Sequence, residues 1–230
     1  MLKNLKFLVC PVCKCNLFKK SRTKLYCKEC SSHYEIRDGI PILLPPNLEE
    51  FKVLEAEYHD KEAHHYGEIN MIDSYHVTHY IDKYLEVVNT LDKDSLLLEV
   101  GSGDGNDANL ITNSGINVIQ SDISFEMVNL AKNNKVNSKI IYTVSDAENI
   151  PCKDNSLDAI MIVGTLHHLP SPKNFFMEAR RALKPGGLLI IGFEPNSWPY
   201  FIFYPIIRFV KRLVRLDSFV NSKHSGVSIG

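Results

Sequence analysis

Residues 96–105 read LLLEVGSGDG, and this stretch decides the fold. The apolar run predicts a buried strand, and the glycines after it predict a tight turn into a helix that begins near Asn106. Further strand-like runs occupy residues 118–122, 139–144, 156–164 and 188–193, with helical stretches over 106–113, 125–130 and 174–183. Strands that alternate with helices and are apolar on both faces predict an α/β fold, a doubly wound, mostly parallel sheet.

The glycine turn predicts a ligand site. A strand, a Gly-x-Gly-x-Gly turn and a helix bring backbone amides close to a ligand with no side chains in the way. Asp122 ends the next strand, where its carboxylate can accept hydrogen bonds from both hydroxyls of a ribose. These features fit either NAD or S-adenosylmethionine (SAM).

The charge around this turn separates the two ligands. Between Lys93 and Lys132 there is no Lys or Arg, whereas six residues are acidic: Asp94, Glu99, Asp104, Asp107, Asp122 and Glu126. A pyrophosphate would be repelled by about 1 kcal/mol per nearby pair of charges, whereas Glu99 suits the cationic methionine portion of SAM. Asn106 also stands where the dinucleotide fingerprint has its last glycine. The sequence therefore favours SAM.

Other candidate contacts also follow strands, as expected in an α/β sheet, whose ligands bind beyond the carboxyl ends of the strands. The predicted SAM contacts are Glu99, Gly101, Ser102, Gly103, Gly105, Asp122, Ile123, Asp146, Ala147 and Gly164. His167 and His168 follow the fourth strand and are the candidate general bases, because imidazole titrates near neutral pH. Alternatively, they cap or pack the following helix.

The motifs in order resemble those of class I SAM-dependent methyltransferases over roughly residues 80–195. The resemblance rests on residues 99–105 (EVGSGDG), Asp122, 145–151 (SDAENIP), 158–160 (DAI), 166–169 (LHHL) and 181–187 (RALKPGG). It implies that Glu99 and the glycines line the methionine portion, that Asp122 holds the ribose, and that Asp146 with Ala147 borders the adenine. The family adds two further strands, one antiparallel, which residues 201–230 do not clearly supply.

Two C-x-x-C pairs precede this region. Cys10, Cys13, Cys27 and Cys30 supply four thiolates, the tetrahedral set that structural zinc prefers. A segment of under 50 residues has too small a core to be stable alone, so the metal would contribute folding energy. Cys15 is expected outside the site, although a swap with Cys13 is conceivable, and Cys152 is expected to pack rather than react. Two C-x-x-C pairs are typical of metal binding in a reducing compartment, and the sequence shows no secretory signal, so we expect a cytoplasmic protein.

The cysteine segment also carries a resemblance of its own. The runs 10–13 (CPVC), 27–30 (CKEC) and 34–44 (YEIRDGIPILL) resemble small zinc-ribbon proteins that activate RNA and translation-factor methyltransferases. A ribbon also precedes a bacterial ribosomal-RNA guanine methyltransferase family, which usually has a histidine in the second knuckle where this chain has Cys30. The resemblance implies a module that stabilises the catalytic domain or presents substrate.

Breaks in composition predict four parts: a zinc ribbon (1–46), a helical linker or lid (47–94), a SAM-binding domain (95–200) and a basic amphipathic tail (201–230). Residues 1–48 carry nine Lys/Arg against three Asp/Glu, whereas residues 49–100 carry four against thirteen. The lid interpretation draws on His59, His64, His65, Tyr66, His76, His79 and Tyr80. The alternatives are an acidic amphipathic helix with half-buried aromatics, or a metal site at His76 and His79.

Three functions remain open at this stage. The first is a SAM-dependent methyltransferase with a small-molecule or lipid-like acceptor. In the second, RNA is the acceptor and the basic ribbon contacts its phosphates. The third is a SAM-binding regulator or adaptor without chemistry. The basic tail suits a membrane surface or a partner groove, or else covers the sheet. No apolar stretch reaches the ~20 residues of a membrane span.

Overall fold

A computed structural model describes residues 5–63, 65, 82–135 and 139–194. The chain divides into two compact units, Met1–Glu194 and Pro195–Gly230, and all the described residues belong to the first. The basic tail, the two expected additional strands and lid residues His64 and 66–81 lie outside the described residues. Among the described helices, none is long and apolar enough to cross a bilayer.

The N-terminal segment forms a four-stranded antiparallel meander. Its strands are β1 (Leu17–Lys19), β2 (Lys24–Cys27), β3 (His33–Arg37) and β4 (Ile40–Leu43). The tight connection from β3 to β4 is Asp38–Gly39, and both residues adopt positive φ angles, of 49° and 76°. Two consecutive residues with positive φ match the twist of a short hairpin, which is why Asp-Gly occurs here.

The remaining strands build the parallel part of the sheet. They are β5 (Leu96–Val100), β6 (Asn117–Asp122), β7 (Ile140–Ser145), β8 (Leu157–Val163) and β9 (Leu183–Gly192). The strand order of the described sheet is β1-β2-β3-β4-β7-β6-β5-β8-β9, and every pairing from β4 to β9 is parallel. The α/β prediction with a mostly parallel sheet is therefore confirmed.

The zinc-ribbon strands and the parallel strands share one continuous sheet. Ile42 of β4 pairs in parallel register with Val144 of β7. Beyond the sheet, Arg37 lies 4.6 Å from the ring centre of Phe125, and Lys132 donates a hydrogen bond to the carbonyl of Asp38. The break at 45–47 is therefore the place where the chain leaves the sheet, and the strands on either side of it remain hydrogen-bonded together.

Five helices of the described chain accompany the sheet: α1 (Glu50–Ala63), α2 (Asp82–Val88), α3 (Asn106–Ile111), α4 (Phe125–Asn133) and α5 (Pro172–Ala182). Short 3-10 turns lie at Leu5–Phe7, Thr112–Ser114, Ala147–Asn149 and Leu166–His168. Successive strand residues point to opposite faces, so Leu97 packs into the core on one face and Leu98 into the core on the other. Both faces of the parallel strands are thus covered.

The last strand is longer than the sequence predicts. The run 184–187 (KPGG) was expected to separate helix from strand, yet α5 ends at Ala182 and β9 begins at Leu183. Leu183 pairs with Leu157 and Leu188 pairs with Ala159, so the residues between bulge out of the ladder. Gly186, with φ of 80°, gives the chain the conformation that this bulge requires.

Candidate active site

A cavity of about 350 Å³ opens at the carboxyl ends of the parallel strands. β6 and β8 flank β5, so the strand order reverses at β5, the switch point where open α/β sheets bind ligands. Nine predicted SAM contacts line the cavity: Glu99, Gly101, Ser102, Gly103, Asp122, Ile123, Asp146, Ala147 and Gly164. Gly105 is not among the described lining residues, although it was grouped with them from the sequence.

Gly105 meets a packing requirement instead. Its φ is 81°, and a Cβ at this position would lie 2.6 Å from Gln120 Nε2 and 2.8 Å from Ala131 Cβ. Any side chain would push the start of α3 away from β6. Gly101 is similarly constrained, because its φ is 70° and an added Cβ would lie 2.7 Å from Thr165 Cβ. The glycines therefore hold the loop close to its neighbours, and Gly101 also faces the cavity.

The turn is fastened to the end of β6 by backbone hydrogen bonds. The amides of Gly101 and Ser102 donate to the carbonyl of Ser121, over 2.8 and 3.1 Å. The amide of Gly103 donates to Asp122 Oδ2 over 3.1 Å, and the amide of Ser124 donates to Asp122 Oδ1 over 2.9 Å. The Asp122 carboxylate therefore has a fixed orientation at the rim of the cavity.

Two buried carboxyl groups give the cavity its electrostatic character. Burial, reinforced by the negative charge of Asp107, raises the pKa of Glu99 well above its usual range, although a hydrogen bond from Gln120 opposes this. Burial also raises the pKa of Asp122, against the lowering effect of the amides of Ser124 and Gly103. A cationic ligand would stabilise both carboxylates, since an adjacent positive charge favours the ionised form.

Ser102 provides a further polar contact. Its side chain is buried and lines the cavity, and no group of the described residues hydrogen-bonds its Oγ. Buried hydroxyl groups almost always have a hydrogen-bond partner. The glycine turn, Glu99, Ser102 and Asp122 together form what we call the cradle. It presents one hydroxyl, two carboxylates and a glycine-rich backbone, a donor and acceptor set that fits the cationic, polar methionine and ribose portions of SAM.

A buried lysine, which the sequence analysis did not single out, organises the β7 end of the cavity. Lys52 on α1 lies 2.9 Å from Asp146 Oδ2 and 3.2 Å from Glu148 Oε2, and all three side chains are at most 6% exposed. Burial lowers the pKa of Lys52, but its contacts with Asp146 and Glu148 outweigh this and raise it. Asp146 also accepts a hydrogen bond from Asn149, so its carboxylate is used to shape the loop.

The two candidate bases have different surroundings. His168 lines the cavity, and its Nδ1 lies 3.1 Å from Glu55 Oε2 on α1. His167 is not among the described lining residues, and its Nδ1 lies 2.9 Å from Glu194 Oε2. Glu194 also accepts hydrogen bonds from the amides of Thr165, Leu166 and His167, so it caps this 3-10 turn.

The four predicted zinc ligands form a compact cluster. One ligand atom from each of Cys10, Cys13, Cys27 and Cys30 lies within 4.8 Å of the others. The Cys10 and Cys30 sulfurs are 3.5 Å apart, and those of Cys13 and Cys27 are 3.3 Å apart. Tetrahedral zinc with Zn–S bonds of about 2.3 Å places its ligands about 3.8 Å apart. The cysteine geometry is thus close to that of a four-thiolate zinc site.

The other two cysteines lie outside this cluster, as expected. The Cys15 sulfur lies 3.5 Å from the Cys13 carbonyl oxygen. Cys152 is fully buried, and this burial raises the pKa of its thiol to about 12, so it is not a nucleophile at neutral pH. Lys14, in the first knuckle, lies 2.6 Å from Glu178 of α5 and so ties the ribbon to the α/β core.

Sequence comparison agrees with this geometry. Residues 98–191 match the methyltransferase domain family, and residues 2–39 match the Trm112p-like protein family. The chain contains a methyltransferase domain. The matched residues of this domain run from β5 into β9 and include the glycine turn, Asp122 and both histidines.

Relatives of the methyltransferase domain match it over a similar region. The demethylmenaquinone methyltransferase of Renibacterium salmoninarum is 32% identical over 95 residues, which are 41% of this chain and 39% of that protein. The 27-O-demethylrifamycin SV methyltransferase of Amycolatopsis mediterranei is 31% identical over 101 residues, 42% of this chain and 37% of that protein. The chain thus spans about two-fifths of the length of these relatives.

Among solved structures, phosphoethanolamine N-methyltransferase 2 of Haemonchus contortus, in complex with S-adenosyl-L-methionine, is similar in fold. The TM-score is 0.51 at 23% identity, and the match covers 66% of this chain and 36% of that one. At this identity the likeness supports the class I methyltransferase fold of the domain and nothing finer.

Proposed function

We propose that this protein is a SAM-dependent methyltransferase whose acceptor is a small or lipid-like molecule. The observation that carries the proposal is the acidic cavity at the switch point of the sheet. Seven carboxylates line it, against a single lysine or arginine among the described lining residues, and that residue, Lys52, is already paired with Asp146. Such a cavity attracts a sulfonium and repels a pyrophosphate.

Each part of the cradle has an assigned role in this proposal. Glu99 and the amides of the glycine turn would hold the methionine portion, with Ser102 Oγ as a further hydrogen-bonding group. Asp122 would accept hydrogen bonds from the ribose, since its two oxygens keep lone pairs beyond those used by the backbone amides. Asp146 and Ala147 would border the adenine, with Lys52 keeping their loop in place.

Bound SAM supplies a methyl group on a good leaving group, so the protein's main task is to position the acceptor. His168 would take a proton from an acceptor that must lose one, and Glu55 orients its ring through the Nδ1 contact. His167, held against Glu194 away from the cavity lining, would instead maintain the turn. A relative of the domain is named for a demethylated quinone and another for a rifamycin intermediate, which supports a small or lipid-like acceptor here.

The cysteine cluster would hold one structural zinc ion. The hydrogen bond with Ser32 lowers the pKa of the Cys30 thiol to about 6, whereas burial raises the pKa of Cys10, Cys13 and Cys27, so the charge of a bound ion would be needed to keep those three as thiolates. Because β4 and Lys14 join the ribbon to the methyltransferase domain, the ion would stabilise both.

Transfer of a tritiated methyl group from SAM into fractionated cell extract tests the function. The wild-type protein should label the small-molecule or lipid fraction, and Asp122→Asn should reduce labelling at least tenfold. Glu57→Gln, an exposed change on α1, should leave it unaltered. Label confined to RNA would refute the acceptor class, and no label in any fraction would refute the activity.

A further inference from the structure

A second cluster of metal-ligating side chains lies at the wall of the cavity formed by α1. Glu55 and His59 occupy positions i and i+4 of this helix, and His168 reaches them from the turn after β8. One ligand atom from each of the three lies within 4.8 Å of the others. All three side chains line the cavity and are between 25% and 41% exposed, so a dissolved ion can reach them.

The distances within this cluster match those around a bound ion. Glu55 Oε2 lies 3.1 Å from His168 Nδ1 and 3.6 Å from His59 Nε2. Two ligands bonded to one ion at about 2.1 Å lie roughly 3.0–3.4 Å apart for angles between 90° and 109°. The Glu55 carboxylate could therefore share an ion with either imidazole after shifts of a few tenths of an ångström, and the ligand atoms of the two histidines, which lie within 4.8 Å of each other, would move together to share the same ion.

Glu62 contacts the ring nitrogen of His59 that does not face Glu55. Its Oε2 lies 3.1 Å from His59 Nδ1, so when this ring nitrogen carries the proton, Nε2 presents its lone pair toward Glu55. A carboxylate behind a histidine fixes the tautomer and raises the basicity of the ligating nitrogen, as is typical of metal-bound histidines.

The charge around the cluster also favours a cation. Glu55 and Glu62 contribute two carboxylates beside the imidazoles, and Lys52, which lines the same cavity, is engaged by Asp146 and Glu148. No other lysine or arginine belongs to the described lining residues. A divalent ion would compensate this negative charge.

We propose that Glu55, His59 and His168 form a binding site for a divalent first-row transition-metal ion of the zinc type. Two imidazoles and one carboxylate suit such an ion and leave coordination positions open. Those positions would face the cavity, where they can take an oxygen atom of the methyl acceptor; in the metal-loaded protein His168 is a ligand through Nδ1 and no longer the base. This role in acceptor binding rests on the proposed methyltransferase function, whereas metal binding does not.

Cobalt(II) titration of the full-length protein tests the site. The protein is first loaded with zinc at the cysteine cluster and passed over a chelating resin. Wild type should bind one further equivalent of Co²⁺, with visible d–d absorption and no thiolate-to-cobalt charge-transfer band. The spectrum thereby separates this site from the cysteines. No SAM and no acceptor are needed, so a failed methyltransferase assay would not affect the result.

Three variants locate the ion. His59→Ala should weaken cobalt binding about 100-fold, and Glu62→Gln about 10- to 100-fold through loss of the second carboxylate. Glu57→Gln, on the same helix but outside the cavity lining, should bind as wild type does. Circular dichroism checks that each variant is folded. If His59→Ala is unfolded, the cobalt affinity of Glu62→Gln relative to wild type tests the proposal. No cobalt beyond the cysteine site, or equal affinity in wild type and Glu62→Gln, would overturn the proposal.

Discussion

Replacing Lys52 by methionine should strongly destabilise the protein. The Lys52 ammonium lies 2.9 Å from Asp146 and 3.2 Å from Glu148, and the carboxylate side chains are 2% exposed. Methionine is unbranched and only one atom shorter than lysine, but it removes the charge, which leaves two carboxylates buried without a cation. Removing one partner of a buried ion pair costs about 3–5 kcal/mol, so the free energy of unfolding should fall by that amount.

Urea unfolding followed by circular dichroism measures this loss. With a denaturant dependence of about 2–3 kcal/mol/M, the midpoint should fall by roughly 1–2.5 M. Lys61→Met is the matched control, because Lys61 is exposed on the same helix and its loss should change stability by under ~0.5 kcal/mol. Adding Asp146→Asn and Glu148→Gln to Lys52→Met should restore part of the stability. A loss below ~1 kcal/mol in Lys52→Met would refute the reasoning.

Three further predictions concern the cavity and the ribbon. Glu99→Gln should weaken SAM binding at least tenfold in calorimetry yet raise the urea midpoint of the free protein. The pKa of Glu99 is raised in the folded protein, so its ionisation opposes folding as pH rises, and glutamine removes that cost. A lowered midpoint would contradict this. For the same reason wild-type SAM affinity should fall on acidification at a pH above the usual glutamate range, and Glu99→Gln should flatten that profile. Gly101 has a positive φ, and an added Cβ would clash with Thr165, so Gly101→Ala should lower the free energy of unfolding by about 1–3 kcal/mol. An unchanged urea midpoint would count against the loop geometry. Cys27→Ser should abolish the bound zinc in metal analysis, whereas Cys15→Ser should retain it, and retention in both would exclude the four-cysteine site.

Features encoded in short stretches could be predicted from the sequence. The run 96–105 fixes a strand, a turn and a helix through local backbone preferences, and Asp122 follows from the spacing of the next strand. The C-x-x-C pairs restrict the four sulfurs to a small volume. These patterns needed no knowledge of distant contacts, and the structure places their residues together.

Features that depend on distant partners could not be predicted. Lys52 appeared to be one of many charges on an acidic helix, and only its partners 94 and 96 positions later explain its burial. Lys52 is the buried residue of α1, whereas Phe51, Leu54 and Tyr58 of the same helix are about half exposed, and no local pattern indicates this. The pairing of β4 with β7 and the approach of His168 to Glu55 likewise arise from tertiary packing.

Calorimetric titration of the purified protein with SAM and, separately, with NAD tests the central claim most directly. The acidic, glycine-lined cavity predicts one SAM bound per chain, no detectable NAD binding, and at least tenfold weaker SAM binding in Asp122→Ala. Binding of NAD in place of SAM, or equal SAM affinity in Asp122→Ala and wild type, would contradict it.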